Sequence, residues 1–328
     1  MAFELLHTAL RTRSNPRRYL TSFMYRLDAD APENYLSIKE MHYIRDWLMA
    51  RGTYEVLADK VLFYECFRNT SLNMPRMLAH NKGKAFVVQG EERRVENTRG
   101  FAHLVKELRQ SCPAGSIFAK PVDGMQGEGC RRIGEDTDLA SLYARVAKAR
   151  FLFQETVTQH QVLQTLHPHS INTVRVLTCF PSPGATPVVV AAILRMGVGG
   201  MDVDNASRGG LFVGVDISTG RLFPPAKQHM AFGGRVFEAH PGSGIRFDEL
   251  VLPHFEPLLE ASLMAARHVP HELAGWDFAI GPAGPVLIEG NPRPNLRFVE
   301  IATGGMMAKP SFPAFYEALG LGRRAGSA

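Results

Sequence analysis

Apolar and polar positions alternate along this chain with two periods. Over residues 37–49 the apolar positions Ile38, Met41, Ile44, Trp47 and Leu48 recur at helical spacing, with Ser37 placed as an N-cap. A second helix is expected over 58–67, with Asp59 and Lys60 near its start and Leu72-Asn73-Met74-Pro75 following it. Residues 84–88 predict a short strand, and 101–110 a helix that turns Leu104, Val105 and Leu108 inward. Ile117-Phe118-Ala119 is an apolar strand, 138–148 a helix, and 151–156 a strand ending in Gln154-Glu155.

The second half is richer in strands. A turn at His167-Pro168-His169 leads into a strand from Asn172, with Asn172, Val174 and Val176 on one face and Thr173, Arg175 and Leu177 on the other. Strands follow over 188–197, where Arg195 lies near the end, and over 211–216 before the turn Ser218-Thr219-Gly220. Residues 227–244 lack periodicity and are expected to form a mobile loop over a site. A long amphipathic helix is expected over 247–268, on the spacing of Leu250, Val251, Phe255, Leu258, Leu259 and Leu263. A hairpin of strands 276–280 and 285–289 around Gly281-Pro282-Ala283-Gly284, then a short helix over 313–319, complete the pattern.

At 328 residues the chain can bury two or three packed subdomains. With 45% apolar and 21% charged residues its composition is ordinary for a soluble protein, and no apolar run of about eighteen residues is present. Cys66, Cys112, Cys130 and Cys179 show no paired spacing, which argues against a zinc site or disulfide framework and for a reducing, cytoplasmic setting. A formal charge of +5 and a pI near 9.1 suit anionic ligands such as nucleotides without arguing for nucleic acid. Arg11, Arg13, Arg17, Arg18 and Arg26 face a single acid, Glu4, at the N-terminus. That pattern fits a packed or solvated helix, peripheral contact with anionic lipid headgroups, or an import signal, and Asn15-Pro16 interrupts it.

Three stretches carry candidate chemistry. In 275–294, Glu289 and Asn291 are two positions apart and leave a strand by one face, with Asp277 on the partner strand. Two carboxylates and an amide carbonyl make a hard oxygen site for magnesium or manganese; the alternative is a turn rich in polar caps. In 116–133, Lys120 ends a strand before a loop containing Gly124, Gly127 and Gly129. Such glycines let backbone amides approach an anion and the lysine can neutralise phosphate, although the same residues also describe a plain surface loop. The lysine precedes the glycines, so this is neither a Walker A loop nor a dinucleotide fingerprint. The exit at Gln154-Glu155 offers groups that can bracket a purine, and Arg175 in mid-strand calls for an anionic partner.

The order of these parts, with the strings HPHSINTVRV, VDNASRGGLFVGVDISTG and WDFAIGPAGPVLIEGNPRP, resembles the sugar-transfer-associated family of the ATP-grasp superfamily from about residue 59 to 319. The resemblance implies an α+β fold of two subdomains clasping a nucleotide: a helical region over 1–58, a small subdomain with a phosphate flap over 59–155, and a large subdomain with the metal site over 156–328. It implies that Lys60 and Lys120 contact ATP phosphates and that 124–129 is the flap. It implies further that Gln154 to Val157 meet adenine, with Glu155 as a polar contact, and that Asp277, Glu289 and Asn291 hold magnesium. Arg175 and Arg293 match cationic positions near the γ-phosphate and the acceptor carboxylate. The acidic residue that many members use for the ribose is replaced by Thr158-Gln159-His160-Gln161, so a glutamine or another group would hold it.

These roles imply an ATP-dependent carboxylate–amine ligase working through an acyl phosphate on small-molecule substrates, in cell-surface polysaccharide or secondary-metabolite assembly. The rival readings are a kinase of the same fold acting on a hydroxyl, and a non-enzymatic basic protein docking on membrane or nucleic acid.

Overall fold

The computed structural model describes residues 17–26, 29–124, 127–200 and 206–322. Helices α1 (Arg17–Thr21), α2 (Ile38–Met49), α3 (Tyr54–Ala58) and α4 (Lys60–Phe67) come first, then strands β1 (Met77–Lys82), β2 (Ala85–Val88) and β3 (Glu91–Arg94). Helix α5 (Thr98–Gln110), β4 (Ile117–Pro121), β5 (Arg131–Ile133), α6 (Leu139–Val146) and β6 (Arg150–Glu155) follow. After α7 (Gln161–Leu166) come β7 (Thr173–Cys179), β8 (Val188–Met196), β9 (Leu211–Val215), β10 (Leu222–Gln228) and β11 (Val236–Phe237). Helix α8 (Phe255–His268), β12 (Leu273–Gly281), β13 (Gly284–Asn291), α9 (Leu296–Thr303) and α10 (Phe312–Ala318) end the described chain. The fold is α+β, as the sequence implies.

Local chemistry accounts for the helix starts. Ser37 and Glu40 form a reciprocal capping box at α2, and the Asp59 carboxylate caps α4 through the amides of Val61 and Leu62. Asp138 does the same for α6 through Ala140 and Ser141. The helix expected over 58–67 forms as α4 over Lys60–Phe67, and Asp59 separates it from the short α3 before it.

The chain divides into two compact units, one of residues 55–158 with 286–289, the other of the rest. The smaller unit carries a six-stranded antiparallel sheet in the order β3-β2-β1-β6-β4-β5. Its core joins Phe86, Phe101 and Phe153, whose ring centroids lie 6.0 to 6.2 Å apart, to Leu104, Val105 and Leu108 of α5 and Leu142 and Val146 of α6. Buried Asn81 ties three segments: Nδ2 donates to the carbonyls of Gly83, Val146 and Ala149, and Oδ1 accepts from the Phe151 amide at 2.9 Å. The sequence pattern missed β1 and β3, because MLAHNK and EERR are too polar to read as strands. Of the two only β3 is an edge strand, where such charge is tolerated and discourages edge-to-edge pairing.

The larger unit carries a seven-stranded sheet, β11-β10-β9-β8-β7-β12-β13. Its largest described core joins Leu177, Ile193 and Phe212 of the sheet to Leu296, Val299 and Ile301 of α9 and to Phe23, Leu36, Ile44 and Leu48. Helix α8 packs on β7, β8 and β12. Two expectations change here. The helix expected over 247–268 begins only at Phe255: a 3-10 turn spans Phe247–Glu249, Val251 bridges to Arg221, and Leu250 O accepts from the Leu222 amide. Pro253 disfavours helical backbone just before it, so Leu250 and Val251 serve a strand instead. Residues 227–244 are likewise not one long loop, since they hold the end of β10, a 3-10 turn over Met230–Phe232 and β11.

Among the described residues no helix is long and apolar enough to cross a membrane. Of the N-terminal arginines, Arg11, Arg13 and the Arg17 side chain lie outside the described residues, as does Asn15-Pro16. Arg18 is buried and pairs with Glu300 at 3.1 Å, so it is an internal partner and not a surface cation.

Candidate functional site

In the smaller unit two lysines and a glycine loop come together. Cap residue Asp59 fixes the first turn of α4 and accepts from Arg150 at 2.7 Å. Burial pushes the Asp59 carboxyl up, but the Leu62, Val61 and Arg150 bonds outweigh it and leave it below its ordinary value. Lys60, next in sequence, sends Nζ to the carbonyls of Val122 at 3.3 Å and Gly124 at 2.5 Å. It thereby tethers the start of the 124–129 loop, whose Met125 and Gln126 lie outside the described residues. Gly127 and Gly129 have φ of 69° and 73°. A Cβ on Gly129 would stand 2.7 Å from Arg145 Nη2 and 2.8 Å from Pro121 Cγ, so both backbone shape and space require glycine.

Lys120 lies on β4 and is 6% exposed, with Nζ 3.5 Å from the Ile288 carbonyl. Burial lowers it from 10.5 to about 8; Glu289 and Cys130 pull it back up, while Lys60 pushes it further down. Glu289 is half-buried and has no hydrogen-bond or ion-pair partner among the described residues. A buried ammonium, a second lysine and one uncommitted carboxylate thus belong to a single unit.

Gln154 is buried on β6, in register with Met77 and Phe118. Glu155 exchanges backbone hydrogen bonds with Arg76 through both side chain and amide, at 3.0 and 3.1 Å, and so holds the strand edge. Val157 follows in irregular chain and is half-buried.

In the larger unit the mid-strand arginine has its anion. Arg175 stands opposite Asp277 in the β7–β12 register and donates from Nε and Nη2 to Oδ1 and Oδ2, both at 2.7 Å. Arg195, opposite Thr173 on β8, donates to Asp277 Oδ2 at 2.9 Å and to Thr173 Oγ1. Asn291 Nδ2 reaches the same Oδ2 at 3.2 Å. Asp277 is 1% exposed, so its charge is compensated by two guanidiniums and its burial does not itself require a metal. Among the described residues no three His, Cys, Asp or Glu side chains gather in metal-ligating proximity. Glu289 belongs to the smaller unit and Asp277 and Asn291 to the larger, and both oxygens of Asp277 are already held by its arginines.

Sequence reasoning gave Arg195 no role, though an arginine ending an apolar strand was the available signal. It also missed His271, which is fully buried. Its Nε2 is 2.7 Å from the Pro292 carbonyl and must carry the proton, since a carbonyl only accepts; Nδ1 then accepts from Thr53 Oγ1 at 2.8 Å. This fixes the chain between Asn291 and Arg293. Arg293 places Nη1 3.7 Å from Met49 Sδ. Gln159, one of two candidates for the ribose, is buried. Its Nε2 donates to Gln164, His167 and Ser170, and its Oε1 accepts from the amide and Nδ2 of Asn172, while Gln161 is exposed.

The family model for sugar-transfer associated ATP-grasp proteins matches residues 40–310. No curated protein matches the chain. Similar solved structures include the ATP-grasp ligase PsnB complexed with a minimal precursor, Mg and ADP, at 17% identity and TM-score 0.45 over 82% of this chain and 60% of that one. D-alanyl-alanine synthetase A from Vibrio cholerae aligns at 14% identity and TM-score 0.45, covering 82% of this chain and 62% of that one. D-alanine–D-alanine ligase from Bacillus anthracis aligns at 12% and 0.48, covering 81% and 68%. The chain thus spans about three fifths of the length of the first two.

Proposed function

Because the chain belongs to the sugar-transfer associated ATP-grasp family, we propose that it is an ATP-dependent carboxylate–amine ligase. The observation that carries this reading is the smaller unit's paired lysines: Lys60 tethers a glycine loop, and buried Lys120 lies beside the 288–289 backbone. A buried ammonium with no carboxylate in hydrogen-bond contact suits a polyanion, because a phosphate restores the charge compensation that burial removed. Lys60 and Lys120 would hold the phosphates of ATP, with the amides of the Gly124, Gly127 and Gly129 loop beside them. Backbone groups from Gln154 to Val157 would meet adenine, since the Glu155 carboxylate is already committed to Arg76.

Glu289 and Asn291, with Asp277, would hold magnesium or manganese, which when bound neutralises charge on the β- and γ-phosphates. Arg175 and Arg195 hold Asp277 in place through their ion pairs, and Asp277 in turn accepts from the Asn291 amide. An acceptor carboxylate oxygen would attack the γ-phosphorus and release ADP. An amine would then attack the acyl carbon of that acyl phosphate, expelling phosphate and forming the amide. Arg175 or Arg293 would steady the incoming carboxylate, and no side-chain nucleophile is needed.

A phosphate-release assay on the full chain with ATP, magnesium and paired carboxylates and amines tests the reading. Free phosphate that appears only when both partners are present supports it. ADP formation without free phosphate points to a kinase, and absence of any thermal shift with ATP and magnesium sinks nucleotide binding altogether.

A further inference from the structure

Arg150 stands where β4 leaves the sheet of the smaller unit for the glycine loop. Pro121, the last residue of β4, pairs with Phe151 in the β4–β6 register, and the Val122 amide donates to the Arg150 carbonyl at 3.0 Å. Beyond that bond the chain turns through Asp123 into Gly124. The Arg150 side chain reaches both of the elements that meet here: Nη1 donates to Asp123 Oδ1 at 3.1 Å and Nη2 to Asp59 Oδ2 at 2.7 Å. A planar guanidinium fixes two carboxylates relative to each other, which the single ammonium of a lysine does not.

Asp59 divides its oxygens between two tasks. Oδ2 takes the arginine, while Oδ1 accepts the amides of Val61 and Leu62 at 2.8 and 3.0 Å and closes the first turn of α4. Lys60 lies in that turn and returns to the loop through the carbonyls of Val122 and Gly124, the residues on either side of Asp123. The contacts form a closed ring: Arg150, Asp59, the start of α4, Lys60, the 122–124 backbone, Asp123 and Arg150 again. Two of the three ammonium N–H groups of Lys60 are used in it, and the third is left for an anion. The Asp59 side chain is 15% exposed and that of Asp123 68%, so the inner ion pair is the less screened of the two.

We propose that Arg150 is a positioning residue for the phosphate loop, acting through Asp59 and Asp123 to hold Lys60 and the base of the loop in one arrangement before ATP arrives. Ordering a long lysine side chain and a loop on binding costs affinity, and a ring formed beforehand removes that cost. This role rests on the reading of the loop as a phosphate site, and the experiment separates the two.

Amide hydrogen exchange over residues 122–130 is followed in the full nucleotide-free chain, and the affinity for ATP with magnesium is measured by calorimetry. Arg150→Gln should speed exchange in that segment at least about threefold while β1 and β2 keep their native rates. It should also weaken ATP binding about three- to tenfold. Arg150→Lys keeps the charge and loses the fork, so its ATP affinity should lie within about twofold of that of Arg150→Gln. An arginine that serves stability alone would lower the urea midpoint without singling out the loop. Should Arg150→Gln fail to fold, Asp123→Asn, on an exposed side chain, decides in its place, with loop exchange at least about twofold faster than native. Native loop exchange or native ATP affinity in Arg150→Gln, or full restoration by Arg150→Lys, overturns the proposal. A native chain without affinity for ATP overturns the phosphate reading itself, and this role with it.

Discussion

Asp277→Asn keeps the side-chain shape and removes the one negative charge that two arginines share. In the native chain Oδ1 and Oδ2 accept from Arg175 at 2.7 Å each, and Oδ2 accepts again from Arg195 at 2.9 Å. The carboxylate side chain is 1% exposed and each arginine side chain 11%, so water cannot replace the lost charge. The variant takes from Arg175 the carboxylate that it meets at 2.7 Å, weakens the Arg195 contact, and turns an amide NH2 toward a guanidinium. Removing one partner of a buried ion pair costs about 3–5 kcal/mol, a large share of the roughly 5–15 kcal/mol that holds a protein folded. Trp47 and Trp276 both belong to the larger unit, so tryptophan fluorescence in urea reports on the affected part. With a slope of about 2–3 kcal/mol per molar urea, the midpoint should fall by about 1–2 M, measured without nucleotide or divalent ion. Adding Arg175→Met removes one stranded cation and should recover about 1 kcal/mol or more of that loss. A single variant within about 0.3 M of the native midpoint, or a double variant whose losses simply add, would refute the argument.

Lys120→Met should stabilise the smaller unit at pH 7 while weakening ATP binding at least about tenfold. The folded lysine is depressed from 10.5 to about 8, so its contribution is present above the unfolded value and lost as pH falls through about 8. The native protein should therefore gain up to about 3 kcal/mol between pH 8 and 10.5, and the variant should not; urea midpoints across that range and ATP calorimetry decide both. Glu300 behaves in the opposite sense: burial raises it from 4.5 to about 7, against the pull of Arg18 and the Leu36 and Met306 amides. Its contribution is complete below pH 4.5 and disappears as pH rises through about 7, a span of about 3 kcal/mol, and Glu300→Gln should flatten that part of the stability–pH curve. Glu289→Gln should abolish turnover yet leave the unfolding free energy within about 0.5 kcal/mol of native, because the carboxylate is half-buried without a hydrogen-bond partner among the described residues; full activity in this variant would remove it from the metal site.

Periodicity and capping chemistry located most helices and buried strands before any coordinates. Ser37, Asp59 and Asp138 cap their helices through their own nearest amides, and such bonds depend only on residues two or three apart. The 276–289 hairpin was legible for the same reason, since a short turn pairs its flanks without help from the rest of the chain. What failed was the long helix over 247–268, where Leu250 and Val251 match a helical stripe but bond to residues 221 and 222. The polar strands MLAHNK and EERR escaped too: the first is buried by pairing with β6, some seventy residues on, and the second is an exposed edge strand with no apolar face to read.

The chemistry divides along the same line. Residue types and spacing were enough to nominate Lys120, Asp277, Glu289 and Asn291, since a glycine loop after a lysine and acids on a hairpin are local signals, whereas Lys60 came only from the family resemblance. Only the folded chain shows what each one touches. Sheet register alone puts Arg175 opposite Asp277 across 102 positions and brings Arg195 onto the same carboxylate. Burial, helped by Lys60, takes Lys120 down to about 8, and the side-chain oxygen of Gln228 has no donor among the described residues. Cross-strand pairing and loss of water are properties of the assembled sheet, so no one-dimensional pattern can hold them.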